Sequence, residues 1–216
     1  MITNLDYKDQ TMDELWQPFM KHGERLFMKR NSIIYSQGKT GSGFYYLHKG
    51  LIKIVSIKPD GSNKILDVHG PGKLFGEQAV DQKPYFSTAI ASDDSILYYF
   101  TNQRFKELIF SSPTFLNLFV DSIIQKMRIL TEEIMLNVFT AEQHIAFTLL
   151  KVRQVCKNDR ISLTQQELAN YTGLTRITVY KILKKWRNEQ VIDIQNRMIH
   201  IKQPDVLLRY TGDHLL

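Results

Sequence analysis

The strongest constraint on this chain is the spacing of small and apolar residues over 164–183. Ala169 and Gly173 lie four residues apart, which suits two crossing helices that touch at a small side chain and are joined by a tight turn. Val179 and Ile182 follow at positions that face inward on a second helix. The spacing therefore predicts a helix-turn-helix, with its second helix over about residues 176–185.

The start of this motif and the charge around it agree with DNA binding. Thr164 and Glu167 have the spacing of a capping box, which satisfies two free backbone donors of a first helical turn. From residue 140 onward there are 12 Lys/Arg against 7 Asp/Glu, whereas residues 1–139 hold 16 against 15. A basic C-terminal third beside a nearly neutral remainder indicates a nucleic-acid-binding domain attached to a second domain.

Composition excludes several other classes of protein. A single cysteine, Cys156, can form neither a disulfide within the chain nor a cysteine-ligated zinc or iron–sulfur site. No apolar run reaches eighteen residues and the first thirty residues hold no signal-peptide core. We therefore expect a cytoplasmic protein that does not interact with membranes.

The N-terminal half has the texture of a β-structure. A short helix is expected first, with Leu15, Trp16, Phe19 and Met20 on one face. Short apolar runs separated by turn residues then predict strands at 26–28, 32–35, 44–47, 51–55, 64–68, 87–90 and 96–100. Asp60-Gly61 supplies the positive φ angles of a hairpin turn. Strands at this spacing favour a jelly roll or barrel.

A long helix is predicted over about 114–138. Its apolar residues are spaced alternately four and three apart, as in a two-stranded coiled coil, at Leu116, Val120, Ile123, Met127, Leu130 and Ile134. This stripe either forms a dimer seam or packs on the sheet of its own subunit. A second apolar set is available for the subunit's own core, at Phe115, Phe119, Ile124, Leu136 and Phe139. We therefore interpret the first set as the dimer seam.

Two further features complete the C-terminal part. A helix of about ten residues is expected after Thr140-Ala141. Two short strands at 191–194 and 198–201 predict a wing. The predicted domains are a β-barrel domain at 1–112, a dimerisation helix at 113–139 and a winged helix-turn-helix at 140–216.

The order of these motifs resembles a known family. Leu74-Phe75-Gly76-Glu77, a long helix and the 164–183 motif follow one another as in the cyclic-AMP receptor protein and fumarate–nitrate regulator family, with further matches over 44–53. The resemblance covers roughly residues 20–203. It implies an α+β fold with a cyclic-nucleotide-binding-like jelly-roll barrel, a long dimerisation helix and a C-terminal winged helix-turn-helix. It also implies a homodimeric transcription regulator rather than an enzyme, with RNA polymerase as a partner if it activates.

The chain departs from the cyclic-nucleotide-binding members of that family. They carry an Arg-Ser pair eleven and twelve residues after the glycine, where this chain has Ser87 and Thr88 after Gly76. An arginine fork is what pairs with a phosphate in two parallel bonds. The family pair that meets adenine aligns with Ile129 and Leu130, which offer no hydrogen bonds. We therefore expect an effector other than cyclic AMP.

An aromatic or other organic acid is the expected effector. The residues expected to bind it are Gly76, Glu77, Tyr85, Phe86, Ser87, Thr88, Met127, Ile129 and Leu130. Alternatively, Tyr85 and Phe86 only fill the barrel. An ungated DNA-binding protein whose barrel is only a dimerising scaffold is a separate alternative, which the missing phosphate-binding arginine also predicts. A cupin-like metalloenzyme using His48, His69 and Glu77 is a further alternative, although their spacing does not resemble converging ligands.

Resident cofactors are not expected. Cluster-bearing members of the family have an N-terminal set of cysteines, which this chain lacks. The histidines are scattered singly, which gives no indication of haem ligation.

The family resemblance also assigns DNA contacts. Arg176 matches an arginine that reads guanine O6 and N7, and Lys181 replaces a second base-reading arginine. Ile177 stands where glutamate is common, so a thymine methyl is its expected contact. Thr178 and Tyr180 are expected to touch bases or backbone, and the phosphate contacts are expected from Thr164, Gln165 and Arg197.

Three further cations remain ambiguous. Lys184, Lys185 and Arg187 belong either to the DNA contact or to a solvated face. The expected operator is an inverted repeat with half-sites one or two helical turns apart, richer in A·T than the usual cyclic-AMP site.

Overall fold

The structure is a computed structural model that describes residues 11–58, 61–161, 163–195 and 198–211. The N-terminal elements are α1 (Met12–Met20), β1 (Glu24–Met28), β2 (Ile33–Tyr35), β3 (Gly43–Lys49), β4 (Ile52–Ile57), β5 (Asn63–His69), β6 (Leu74–Phe75), a 3₁₀ turn (Glu77–Asp81), β7 (Thr88–Ala91), β8 (Ser95–Thr101) and α2 (Asn102–Ser111). The C-terminal elements are α3 (Pro113–Met135), a 3₁₀ turn (Leu136–Val138), α4 (Ala141–Cys156), β9 (Arg160–Ile161), α5 (Gln165–Thr172), α6 (Arg176–Asn188), β10 (Ile192–Gln195), β11 (Met198–Ile201) and α7 (Pro204–Thr211).

The strands form three sheets, with strand orders β1-β8-β3-β6, β2-β7-β4-β5 and β10-β11-β9. The chain divides into two compact units, one containing Met1–Ile52 and His69–Lys126 and the other containing Lys53–Val68 and Met127–Leu216. In the first unit β3 pairs antiparallel with β8, with Phe44 opposite Phe100. The predicted fold class is confirmed: barrel-like sheets, then a long helix, then a winged helix-turn-helix.

Aromatic rings fill the core of the first unit. Trp16 of α1 is almost completely buried and stacks on Tyr46 of β3, with ring centroids 5.1 Å apart. It also meets Phe115 of α3 edge-on at 5.5 Å. Such pairs are stabilised beyond the area that they bury. The predicted inward face of α1 is therefore confirmed, because Leu15, Phe19 and Met20 are buried beside Trp16.

The long helix carries two apolar faces, as predicted. Phe115 is buried in the first unit's core and Phe119 packs against that core, while the buried Leu118 was not predicted. Of the proposed seam residues, Ile123 is half-buried and the other five are exposed, with Leu130 63% and Ile134 69% exposed. Ile124, expected on the inward face, is exposed as well.

Three parts of the C-terminal region differ from expectation. α4 has 16 residues rather than about ten, because Thr140 begins it with a capping box and Lys157 ends it in a left-handed conformation. The wing has a third strand, β9, which pairs with β11. A closing helix, α7, buries Leu207 and was not predicted.

In the N-terminal half, the predicted turn at Asp60-Gly61 lies partly outside the described residues.

No single helix in the described part of the chain is long and apolar enough to cross a membrane. α2 and the span Pro113–Ile134 pass that length-and-composition test only as a pair, bent by 118° at their break.

Replacing Trp16 by Ala should destabilise the protein by about 3–5 kcal/mol, because it leaves a cavity among the aromatic rings. Thermal and urea unfolding followed by circular dichroism would measure the loss. Phe110→Ala is the matched control, since Phe110 is 87% exposed and its removal should change stability by less than about 0.5 kcal/mol. Equal effects of the two changes would contradict the assignment of this core.

Candidate nucleic-acid interface and effector site

The helix-turn-helix is built from two helices with well-defined ends. Thr164 caps α5 and forms a reciprocal capping box with Glu167, as the sequence predicts. α5 ends at Gly173, whose φ of 72° is the left-handed conformation that glycine adopts without strain. Thr175 then caps α6 by accepting a hydrogen bond from the Thr178 backbone N–H at 3.1 Å. The turn between the helices therefore has little freedom.

α6 divides sharply into a buried and an exposed face. Val179, Leu183 and Trp186 are fully buried. On the other side Ile177 is 68% exposed, and Arg176 and Lys181 are also exposed. The exposed side of α6 therefore combines two cations with one apolar side chain.

Two open depressions lie along this exposed face. The first has a volume of about 340 Å³ and is lined by Gln165, Arg176, Ile177 and Tyr180. The second, of about 200 Å³, shares Gln165 and Tyr180 and continues to Lys184, Arg187, Asn188 and Ile194. The structure thus joins the start of α5, the exposed face of α6 and the wing strand β10 along one surface. We call this surface the reading face.

The cations of this region differ in their compensation. Among the described residues, neither Arg176 nor Lys181 has a carboxylate within 4.0 Å, which leaves their charges open to an anionic partner. Lys185 instead pairs with Glu142 at 2.9 Å, which raises its pKa. Arg187 Nε lies 4.0 Å from Asp193. Lys185 is therefore engaged within the protein, while Arg176 and Lys181 are available.

Most of the sequence-predicted DNA contacts lie on or beside the reading face. Thr164 is half-buried and engaged in the α5 cap, and the Thr178 hydroxyl lies 2.9 Å from that of Thr175. Arg197 lies outside the described residues. Asn188 and Ile194 line the second depression without having been predicted, although Asn188 falls eight residues after Tyr180, a spacing that returns to the same side of a helix.

The second candidate site surrounds the Gly76-Glu77 pair in the first unit. Gly76 has a φ of 81°, and a side chain there would press against the rings of Tyr45 and Tyr35. Glu77 is buried and forms an ion pair with Lys126 of α3. The carboxylate is thus neutralised by a lysine that the motif itself does not contain.

Aromatic rings occupy the space beside this pair. Tyr85 stacks face to face on Tyr35, with centroids 4.0 Å apart, and Tyr35 in turn lies near Tyr45 and Phe75. Burial raises the pKa of Tyr35 to about 12, and burial likewise raises the pKa of Tyr85 to about 12. Their hydroxyls are therefore neutral at physiological pH, and that of Tyr85 donates to the Gly43 carbonyl oxygen at 3.3 Å.

The polar residues of this site also have partners within the protein. Ser87 accepts a hydrogen bond from Gln78 at 3.3 Å, and the Thr88 hydroxyl accepts one from the Gln37 backbone N–H at 2.9 Å. Both are almost completely buried. Phe86 does not join them, because its ring is 66% exposed.

The three residues expected from the long helix belong to the second unit. Met127 and Leu130 are exposed there, and Ile129 is half-buried.

The arrangement in the described residues offers little to a metal. No group of three or more His, Cys, Asp or Glu side chains in that part of the chain is placed to hold a metal ion. His69 and Glu77 are buried and His48 pairs instead with Asp13 at 2.8 Å. The donor set of a cupin-like enzyme is therefore not assembled among these residues.

Comparison with known proteins gives two family matches. A cyclic nucleotide-binding domain matches residues 25–112, and a Crp-like helix-turn-helix domain matches residues 143–210. The chain is 25% identical to the transcriptional activator protein Anr of Pseudomonas protegens, over 97% of this chain and 86% of Anr. It is 24% identical to the cyclic AMP receptor protein of Thermus thermophilus, over 85% of each chain.

Solved structures agree with these matches. A transcriptional regulator of the CRP family from Thermus thermophilus superposes with a TM-score of 0.78 and 25% sequence identity, covering 88% of this chain and 98% of that one. Both domain matches, the curated relatives and the shared fold point to the same group of proteins. The chain belongs to the CRP/FNR family of transcription regulators.

Proposed function

We propose that this regulator acts in the cytoplasm as a homodimer that binds an inverted-repeat operator, under the control of a small-molecule effector other than cyclic AMP. The observation that carries the DNA-binding part is the reading face, where Arg176 and Lys181 are exposed without a carboxylate partner among the described residues. RNA polymerase is a partner if the protein activates transcription. The proposed role is regulatory rather than catalytic.

Each side chain of the reading face has a distinct proposed task. The guanidinium of Arg176 matches the two acceptors of guanine in the major groove. Ile177 has no polar atom and suits the methyl group of thymine. Lys181 and Tyr180 lie one turn further along and reach bases or phosphates. Gln165 lies at the start of α5, where backbone N–H groups also favour phosphate.

An Arg176→Ala change should weaken operator binding by about 1–3 kcal/mol and relax the preference at one base position, since a bidentate base contact is lost. Binding to the operator and to its single-base variants, measured by fluorescence anisotropy at one fixed salt concentration, would show this. Arg197→Ala is the control, because loss of its expected phosphate contact should weaken binding to all sequences alike. A uniform loss in the Arg176 variant would reject its base-reading role.

Dimerisation through α3 is supported by the seam residues. Leu116, Val120, Met127, Leu130 and Ile134 follow the coiled-coil spacing and are all exposed in the single chain. An apolar stripe of this length favours burial against a second copy. A twofold dimer would also present two reading faces, which matches an inverted-repeat operator.

A Leu130→Glu change should convert the dimer to a monomer, because it places a charge in the apolar seam. Sedimentation velocity would measure the association state. Operator affinity should fall by about 100-fold or more, since a monomer engages one half-site only. Gln125→Glu adds the same charge to the opposite side of the same helix and should remain dimeric. A dimeric Leu130 variant would contradict the proposed seam.

The effector site has little of what a cyclic phosphate requires. It has serine where the phosphate-binding arginine of cyclic-nucleotide-binding members would lie, and its Glu77 is already paired with Lys126.

The carboxylate of an organic acid would replace Glu77 as the ion-pair partner of Lys126 and use Ser87 and Thr88 as further partners. Its aromatic part would meet Tyr85, with Gly76 allowing close approach. Met127, Ile129 and Leu130 remain proposed contacts from the long helix, and Phe86 is a proposed contact only if its exposed ring turns inward.

An ungated regulator is the second candidate function. It is favoured by one observation: Glu77, Ser87, Thr88 and Tyr85 all have partners within the protein. A ligand must therefore replace existing contacts rather than fill unused ones. In this case the barrel only scaffolds the dimer.

A thermal-melt screen of the purified protein against cyclic nucleotides and small organic acids distinguishes these candidates. A ligand at 100 times its Kd stabilises the protein by about 2.7 kcal/mol, which is a shift of several degrees. We expect a shift with an organic acid, lost in Lys126→Gln. A shift with cyclic AMP would contradict the argument from Ser87. No shift with any compound, with DNA binding retained, would favour the ungated form.

A further inference from the structure

The β4–β5 hairpin belongs to the same compact unit as the helix-turn-helix. Residues Lys53–Val68 group with Met127–Leu216, although the cyclic nucleotide-binding domain match runs over 25–112 and includes the hairpin. The hairpin follows directly in sequence from β3 of the barrel-like sheets. It is therefore a covalent extension of the sensor sequence that packs with the DNA-reading unit.

The first contact joins β4 to the cap of α5. Lys53 Nζ forms an ion pair with Glu167 Oε1, and the two side chains are only 16% and 25% exposed. The other oxygen, Oε2, accepts hydrogen bonds from the backbone N–H of Thr164 at 2.9 Å and from its hydroxyl at 3.0 Å. One carboxylate thus holds the N-terminus of α5 with one oxygen and the hairpin with the other.

The protonation state of Glu167 agrees with this geometry. Burial acts to raise its pKa, but hydrogen bonds from Lys53 and from the Thr164 backbone N–H outweigh burial, so that the pKa lies below its ordinary value. The carboxylate is therefore charged at neutral pH. A charged pair shielded from water in this way is costly to break on one side only, because the remaining charge keeps its desolvation.

The second contact joins β5 to the other end of α5. The Tyr171 hydroxyl donates to Asp67 Oδ1 at 3.3 Å, and Lys151 Nζ of α4 lies 3.5 Å from the same oxygen. Lys151 also reaches Glu133 of α3 at 3.2 Å and lies over the Tyr171 ring. Burial raises the pKa of Tyr171 well above its ordinary value, so its hydroxyl remains a donor.

These two contacts fix one face of α5. Glu167 and Tyr171 are four residues apart and so lie one above the other on the same side of the helix. Leu168 and Ala169 on the other sides of α5 are buried, and α5 packs against α6. The hairpin therefore holds α5, and α5 holds α6. Meanwhile the reading face stays exposed, so this docking does not cover the residues proposed to meet DNA.

We propose that Lys53 is a positioning residue for DNA reading, which acts through Glu167 to hold α5 and α6 at a fixed orientation on the β4–β5 hairpin, with Asp67 as its second anchor. This proposal rests on the DNA-binding function proposed above. Lys53 touches no DNA; it limits how far α6 can turn. A loosened α6 would bind its half-site less tightly and tolerate altered half-site spacing.

The test uses full-length protein and the duplex that it selects from a random-sequence pool. Lys53→Met keeps the side-chain length but removes the charge, and it should weaken operator binding by about tenfold. It should also reduce the penalty for one base pair inserted between the half-sites, a change that simple loss of folded protein would not cause. A titration with DNA at a concentration well above the Kd measures the fraction of protein that binds, and the affinities are corrected for that fraction. Lys53→Arg should restore both properties.

Three further variants make the outcome specific. Lys58→Met removes an exposed lysine from the same hairpin and should bind as the wild type does. Glu167→Gln keeps the cap, since glutamine also serves in a capping box, and Lys53→Met should add little to it. Asp67→Asn tests the second anchor if the Lys53 variants fold poorly. Wild-type affinity and spacing preference in both Lys53→Met and Asp67→Asn would overturn the proposal.

A DNA-free measurement separates this proposal from the DNA-binding function. Amide hydrogen exchange in the free protein should become faster in α5 of Lys53→Met and unchanged in Lys58→Met. Unchanged exchange in both would overturn the docking itself. If the wild type selects no sequence from the pool, the DNA-binding function fails, and the positioning role fails with it even where exchange in α5 responds.

Discussion

The reading face depends on the packing of the opposite side of α6. Val179, Leu183 and Trp186 are fully buried, and their spacing leaves only one rotation of the helix that satisfies all three. A slip by one residue would turn the helix by about 100° and bring Arg176 or Lys181 toward the core. Because burying an unpaired charge is costly, the apolar side determines which polar side chains face outward. Specificity for DNA is thus set first by the core.

Features encoded by local patterns were predictable from the sequence. The turn at Gly173 and the cap formed by Thr164 and Glu167 require particular residues at short spacings, so the residues identify the structure. The inward face of α1 and the strands of the barrel also follow from short-range periodicity. The fold class can therefore be predicted from the sequence where a backbone conformation or a cap requires one particular residue type.

The remaining features depend on contacts between distant parts of the chain. Lys53 and Glu167 are 114 residues apart, and nothing near either one indicates the partner. Lys126 reaches Glu77 from a helix outside the motif, so a search for an arginine at a fixed spacing finds only its absence. The extra helix α7 and the strand β9 are short and gain their stability from packing, which single-sequence patterns do not capture. The candidate DNA site was therefore more predictable than the candidate effector site.

The exposed side chain of Ile177 bears on how related regulators coexist in one cell. An aliphatic side chain in the major groove cannot accept a hydrogen bond, so a cytosine beneath it would bury its amino group without a partner. A carboxylate at the same place would instead leave a thymine methyl against a charge. If α6 lies in the major groove as proposed, two regulators that share this scaffold but differ at this one position would each disfavour the other's operators. A single residue could then insulate one regulatory circuit from another without any change to the sensor or to the dimer.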